Sequence, residues 1–478
     1  MAGLKTSIDD WLRAQMRPLL RRLLKSVSQR LDMHQQLGVD QRDANLRTRA
    51  AIKRRTGQPI RVVFACHGRA MWPLFESVYA QACRDPALQP VVLALPYRHS
   101  TLPAGQYRDE RIADFLRPLG IPVVEAVDRN TGVWLEPRDL DADYVFFQTP
   151  YRLYADSWNV ERVAVHARVC YIPYGCTLFS GSVDSVSHPE PFFRHVSLTF
   201  TENAHGQRLF EEKFRNAPWY RQSSFVLTGY PKLDHMQARA PTPRGVWKRP
   251  SGEAALRILW TPRWRTEEGN CHFFDYKDVL FDFCRDRTDR ELVFRPHPLC
   301  LQNFIKTGEL TAEQLGSLRD GYAGSPNMVL DESGDYRSTF LSSDVLVSDV
   351  SSMLFEYFAT GKPIVYTHRV DVFNDLGRTL SEGFYWVRDA DELRSTLEKL
   401  QQGNDPLAER RRELIDTVVR MAPDSAGGAV VRALKRDFFA DTLGERLTEA
   451  EAALPSGGAM QSAPEARHQP QPTPAGSE

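Results

Sequence analysis

Residues 344–368, DVLVSDVSSMLFEYFATGKPIVYTH, constrain the fold more than any other stretch of the chain. Val345, Leu346 and Val347 read as a short apolar strand. A turn of small polar residues follows, and then a helix carrying Phe355, Glu356 and Phe358 that Gly361 stops. Pro363 opens a second strand at 364–366. A strand–turn–helix–strand unit of this length brings its second strand back parallel to the first, so the spacing predicts a parallel α/β sheet. Ser348, Ser351 and Ser352 surround the helix start, where unpaired N–H groups and partial positive charge favour a phosphate. Glu356 lies one turn deeper on the face of Ser352 and could accept hydrogen bonds from a ribose. Serines at helix starts are also ordinary caps. Taken alone, this unit leaves both readings open.

At 478 residues the chain exceeds one ordinary core, and two domains are expected. Lys+Arg and Asp+Glu stand at 61 each, so no global field points to nucleic acid. Seven cysteines, scattered and without a C-x-x-C pair, predict reduced thiols in a cytoplasmic protein. No apolar run reaches the roughly eighteen residues of a spanning helix. Neither the His and Cys spacing nor Asp275, Asp335 and Asp344 make a metal pattern, and no cofactor is expected. Charge is unevenly placed. Residues 1–54 hold twelve Lys/Arg against five Asp/Glu, a local net of +7. Within them, residues 8–31 set Trp11, Leu12, Met16, Leu19, Leu20, Leu23, Leu24, Val27 and Leu31 at helical spacing among arginines. Such a helix suits an anionic membrane surface, and equally a packed protein face. Residues 454–478, rich in Pro, Gly, Ser and Gln, read as disordered.

Between these ends, short apolar strands alternate with helices. Strands are predicted at 61–66, 91–95, 122–127, 144–148, 164–172 and 197–201, then at 225–228, 257–260, 291–294, 328–330, 345–347 and 364–366. This describes two doubly wound, Rossmann-type α/β domains. The expected divisions are a basic helical extension at 1–54, a first domain at 55–224, a second at 225–440, and a helical end with a tail at 441–478. A helix at 409–439 is expected to break at Pro423 and at Gly427-Gly428. Ligands in such sheets bind beyond the carboxyl ends of strands. Tyr230, Arg263, Arg265, His297 and the 348–352 turn all follow predicted strands of the second domain.

Four short motifs occur in order: 229-GYPKLD-234, 261-TPRWR-265, 295-RPHP-298, and 348-SDVSS-352 with Phe355-Glu356 and 361-GKP-363. In order and chemistry they resemble the CDP-glycerol glycerophosphotransferases of the teichoic-acid polymerase type. The resemblance covers roughly residues 225–434 and implies a GT-B fold, two domains facing a cleft with the nucleotide site in the second. It implies a transferase that moves a polyol phosphate from a CDP-linked donor to a glycan or lipid-linked acceptor. The first domain departs from the family. A His-Gly-Thr motif, whose histidine is held to act as base, is matched here by 171-YIPYGCT-177, with Tyr174 at the histidine position. A sugar transferase or epimerase using another nucleotide-sugar, and a non-catalytic nucleotide-binding protein, are the rival readings, because fold alone does not decide chemistry.

On that resemblance Arg263 and Arg265 would supply fixed charge at the diphosphate. Either could instead pack on Trp264 or pair with Glu267. His297, held between two prolines, would donate to phosphate oxygens, as would Ser351 and Ser352. Asp349 is unfavourable beside an anion and is expected to cap the helix. His67, after the first strand, is the leading candidate base, since a tyrosine such as Tyr174 ionises near 10. His205 and His99 are weaker candidates. Tyr230 and Tyr174 would line the substrate site.

Overall fold

The computed structural model describes residues 40–440 and isolated helical residues between 26 and 38. It leaves out 99–101, 104, 177, 181–188, 237–245, 250–254, 334–335, 368–369 and 420–423. The amphipathic stretch 8–31, save residues 26, 27 and 30, and the tail 454–478 lie outside the described residues.

Two parallel sheets carry the chain. The first has seven strands: β1 (Ile60–Cys66), β2 (Leu88–Ala94), β3 (Val123–Glu125), β4 (Tyr144–Phe147), β5 (Arg168–Tyr171), β6 (Val196–Thr201) and β7 (Ser224–Leu227), in the order β3-β2-β1-β4-β5-β6-β7. The second has six: β8 (Leu256–Thr261), β9 (Arg290–Phe294), β10 (Met328–Leu330), β11 (Val345–Ser348), β12 (Ile364–Tyr366) and β13 (Phe384–Trp386), in the order β10-β9-β8-β11-β12-β13. Every strand pair is parallel. Each sheet reverses strand order beside its first strand, which opens a crevice at the carboxyl edge. Both faces are covered, so the strands are continuous apolar runs such as 62-VVFA-65, all of it fully buried.

The opening unit folds as its sequence predicts. Val345–Ser348 is a strand, Met353–Phe358 a helix and Ile364–Tyr366 the returning parallel strand. Other expectations change. The strand predicted at 225–228 pairs with β6 and closes the first sheet, so it does not open the second domain. Its length and polarity resemble those of the neighbouring strands, and nothing local shows which sheet it joins. The long strand predicted at 164–172 shortens to β5, because Val160–Val163 forms a helical turn before it. β13, three residues at the sheet edge, escaped the periodicity altogether.

The chain returns to the first unit at its end. Helix Ala426–Phe439 packs on helix Pro73–Arg84. Asp437 accepts hydrogen bonds from Tyr144 Oη at 2.5 Å and Arg168 at 2.8 Å. Gly427 and Gly428, expected as a break, lie inside this helix, whose start Ser425 caps through Gly428 N–H. A Cβ on Gly427 would run into the backbone carbonyl of Ser77, so the glycine permits close helix packing. Of the basic extension, the helix at 40–56 is also docked. Arg49 and Lys53 grip the buried Asp143 at 3.0 and 2.7 Å, while Leu46 and Ala50 are buried. Among the described residues no helix is long and apolar enough to cross a membrane.

Candidate active site between the two sheets

The carboxyl edges of the two sheets face each other. From the first come His67 after β1 and the loop 172–176 after β5. From the second come the loops after β8, β9 and β11. Gly175 and Ser352 mark the approach: a Cβ on Gly175 would sit 3.3 Å from Ser352 Cβ. Below this point lies a polar knot. The Tyr174 carbonyl accepts from Tyr230 Oη and from Lys232 Nζ, both at 2.8 Å. Lys232 also pairs with Glu356 at 3.0 Å, and Tyr336 Oη donates to the other Glu356 oxygen at 2.6 Å. Tyr230, Lys232, Tyr336 and Glu356 are all buried. A buried ion pair persists only when its remaining polar valences are met, and here they are. Burial raises the pKa of the Tyr230 and Tyr336 hydroxyls, with Glu356 adding to the effect, so both stay neutral donors.

Asp234 joins the same assembly. It accepts from Ser77 of the first unit and from the N–H groups of Ala426 and Gly427 at 3.0 and 2.9 Å. Tyr230, Lys232 and Asp234, all from the motif 229–234, therefore fasten the units together. Lys232, Asp234 and Tyr336 were not singled out from the sequence. The signal available was a lysine and an aspartate at i, i+2 beside a tyrosine, which does not reveal burial.

The serine turn divides in two. Ser348 is fully buried, its hydroxyl donating to the Thr261 carbonyl at 2.8 Å and accepting from the Thr261 hydroxyl at 3.0 Å. It joins two strands and does not face an anion. Ser351 Oγ accepts from Met353 N–H at 3.2 Å and so caps the short helix. Ser352 is exposed, makes no capping bond and faces Gly175. Asp349, expected as the helix cap, instead accepts the backbone N–H groups of Arg263 and, at 3.0 Å, His272. It holds the loop after β8 in place. Burial pushes its carboxyl up to about 7, which weakens the negative charge beneath the cleft. Glu356, expected at a ribose, has both oxygens engaged within the knot.

The rim carries the basic groups. Arg263 and Arg265 share one carboxylate, Glu268, with Arg265 at 3.3 Å. Arg265 also lies over the Trp264 ring, 4.0 Å from its centroid, and reaches Glu267 at 3.8 Å. His297 lies near Trp264, 5.5 Å between ring centroids and 20° from parallel, with one edge open to solvent. Its Nδ1 accepts from Leu299 N–H at 3.2 Å, which assigns the proton of the neutral ring to Nε2. Desolvation by the surrounding loop, with a smaller effect from Arg263, pulls its pKa down to about 4.

In the first unit His67 sits at the end of β1. Its Nδ1 is 3.1 Å from Tyr154 Oη and its ring 4.8 Å from that of Tyr97. Burial pulls it down to about 4, so the ring is neutral at pH 7. The Tyr174 hydroxyl is 3.3 Å from that of Tyr151, and burial raises its pKa further above the ordinary value. The structure gives Tyr174 no character of a base.

The sequence matches the family described as CDP-Glycerol:Poly(glycerophosphate) glycerophosphotransferase over residues 194–432, half of the chain. The chain belongs to this family. It is accordingly an enzyme of the glycerophosphotransferase type. The matched stretch holds all four motifs, the whole second sheet, and β6 and β7 of the first. No curated protein sequence matches the chain. Among solved structures, the S. aureus MnaA-UDP co-structure is similar at a TM-score of 0.53 and 11% identity, covering 79% of this chain and 96% of that one. A UDP-N-acetylglucosamine 2-epimerase is similar at 0.50 and 12%, covering 82% and 99%. The wall teichoic acid polymerase TagF is similar at 0.47 and 16%, covering 83% and 97%. The likeness to the first two is one of fold, two Rossmann-like domains in a GT-B-like arrangement.

Proposed function

We propose that this glycerophosphotransferase moves a polyol phosphate, glycerol phosphate in the first instance, from a CDP-activated donor to a hydroxyl of a glycan or lipid-linked acceptor. CMP is released, and the product belongs to a cell-surface polymer such as a teichoic acid or capsule. One observation supports the reading: within the matched stretch, Arg263, Arg265, His297, Ser351 and Ser352 all lie on the loops after β8, β9 and β11, and Ser352 there meets Gly175 of the first unit.

In this reading the donor diphosphate competes with Glu268 for Arg263 and Arg265, which already converge on one anion. His297 Nε2–H and the Ser351 and Ser352 hydroxyls donate to phosphate oxygens. An acceptor oxygen attacks the phosphorus that carries the polyol. The new P–O bond forms as the bond to the bridging oxygen breaks, and its electron pair leaves with CMP. His67 takes the acceptor proton. A bound diphosphate raises the proton affinity of both histidines by its charge, offsetting the burial that lowers it. Tyr230 and Tyr174 act below the substrate by fixing the loop after β5. Residues 8–31 would hold the enzyme to an anionic membrane on its cytoplasmic side, near a lipid-linked acceptor.

Titration with CDP-glycerol, CDP-ribitol and a UDP-sugar tests the donor. Preference for CDP-glycerol by tenfold or more is expected, whereas preference for the UDP-sugar overturns the reading.

A further inference from the structure

A cavity of about 340 Å³ opens at the carboxyl ends of β2 and β3, in the first unit and outside the site described above. It lies within the size range of small-molecule pockets, roughly 300–1,000 Å³. Ala94, Pro96 and Val127 form an apolar wall, and Tyr107 and Trp134 add two half-buried aromatic faces. The two rings meet edge to face, 5.1 Å apart at 70°. Trp134 is held by a tight loop in which Val127 pairs with it and Asp128 accepts the N–H groups of Asn130 and Thr131. The polar side of the cavity is Asp109, Glu125 and Arg129. Arg129 bridges the two carboxylates at 3.1 and 2.8 Å.

This chemistry selects the ligand. Arg117 also holds Glu125, at 2.8 Å, so two carboxylates are matched by two guanidiniums and the balanced charges give no net attraction to phosphates or nucleotides. Carboxylates accept from hydroxyl groups, the arginine donates to ring or hydroxyl oxygens, and aromatic faces cover the apolar C–H face of a ring. The combination suits a neutral, polyhydroxylated ring. The cavity also adjoins the candidate base. Tyr97 packs on His67 at 4.8 Å, and its backbone pairs with Arg108, the residue between Tyr107 and Asp109.

We infer that this cavity is a subsite for a neutral sugar residue of the acceptor, placing the acceptor chain so that its reacting hydroxyl reaches His67. The inference rests on the transferase reading, yet it can fail separately from it. The test uses saturation-transfer NMR on the full chain with methyl glycosides of glucose, galactose and N-acetylglucosamine, and with glycerol 3-phosphate as the anionic probe. At least one glycoside is expected to bind. Trp134→Ala should weaken it tenfold or more, Trp134→Phe should retain most of the binding, and CDP-glycerol affinity should change less than twofold. Should Trp134→Ala fail to fold, Asp109→Asn reads the same site by removing an acceptor at the cavity mouth. Binding of no glycoside, glycoside binding indifferent to both variants, or glycerol 3-phosphate competing at the cavity would overturn the assignment. Failure of CDP-glycerol to bind the wild type would instead sink the donor reading and leave this one standing.

Discussion

The floor and the rim of the inter-domain cleft are built from the same motifs but do different work. On the floor, Tyr230, Lys232, Asp234, Ser348, Asp349 and Glu356 are engaged with one another, with backbone, or with Tyr174 and Ser77 of the first unit. On the rim, Arg263, Arg265, His297 and Ser352 keep part of their surface open. A motif letter therefore does not announce a ligand contact. Alternate letters of one motif serve cohesion and chemistry, and burial alone separates them.

The separation can be broken by exchange. On the rim, His297→Ala should lower turnover by about 10²–10³, the usual cost of removing one positioned hydrogen-bond donor to charge that develops in the transition state. Its melting temperature should stay within a degree or two, because the ring edge is open and Trp264 remains stacked on Arg265. Full transferase activity in that variant would sink the mechanism. A large loss of stability would move His297 to the floor.

On the floor the expected effect reverses. Lys232→Met leaves Glu356 buried with only Tyr336 as partner, and unpairing a buried ion costs about 3–5 kcal/mol. Chemical unfolding should show that loss, and donor binding should fall only as far as the fold loosens. Adding Glu356→Gln should restore part of the stability, since the stranded charge is gone. If the double variant were no better than the single, the knot would not be an ion pair in energetic terms.

How much of this the sequence disclosed follows from the range of the forces involved. Alternation of apolar strands with helices is local, so both sheets and the 344–368 unit were legible. Membership of β7 in the first sheet depends on pairing that no residue of β7 announces, such as Leu198 with Ser224, and the return of helix 426–439 to the first unit depends on contacts hundreds of residues apart, such as Tyr144 with Asp437. The rim residues were legible because each follows a strand end. The roles expected of Ser348 and Glu356 were not, because a hydroxyl or carboxylate reads the same whether it faces a ligand or a neighbouring strand. Gly427 shows the same limit. As a letter it signals a helix break; in place it admits Ser77. Gly427→Ala should cost about 1–3 kcal/mol through overpacking, whereas Gly175→Ala on the rim, meeting only the small Ser352 side chain, should cost under about 1 kcal/mol. Equal costs would erase the distinction between the two close approaches.

A smaller effect sharpens the comparison through pH. Glu202 ends β6 under the Gly175–Cys176 loop, buried, and burial pushes its carboxyl from 4.5 up to about 7. Between these values the folded chain keeps a proton that the unfolded chain has released. Stability therefore falls as pH rises from about 4.5 to about 7 and stays low above that. Glutamine at this position is neutral at every pH. Glu202→Gln should melt close to the wild type near pH 4.5 and be more stable at pH 8 by about 1–3 kcal/mol, since a tenfold change in proton affinity corresponds to about 1.4 kcal/mol. The gain should grow through the window between 4.5 and 7 and then level off. A gain that is the same at both ends would reflect packing and not charge. No gain at pH 8 would mean that the floor beneath the loop admits enough water to hydrate the carboxylate, and the cleft would then lack the dry base that separates its floor from its rim.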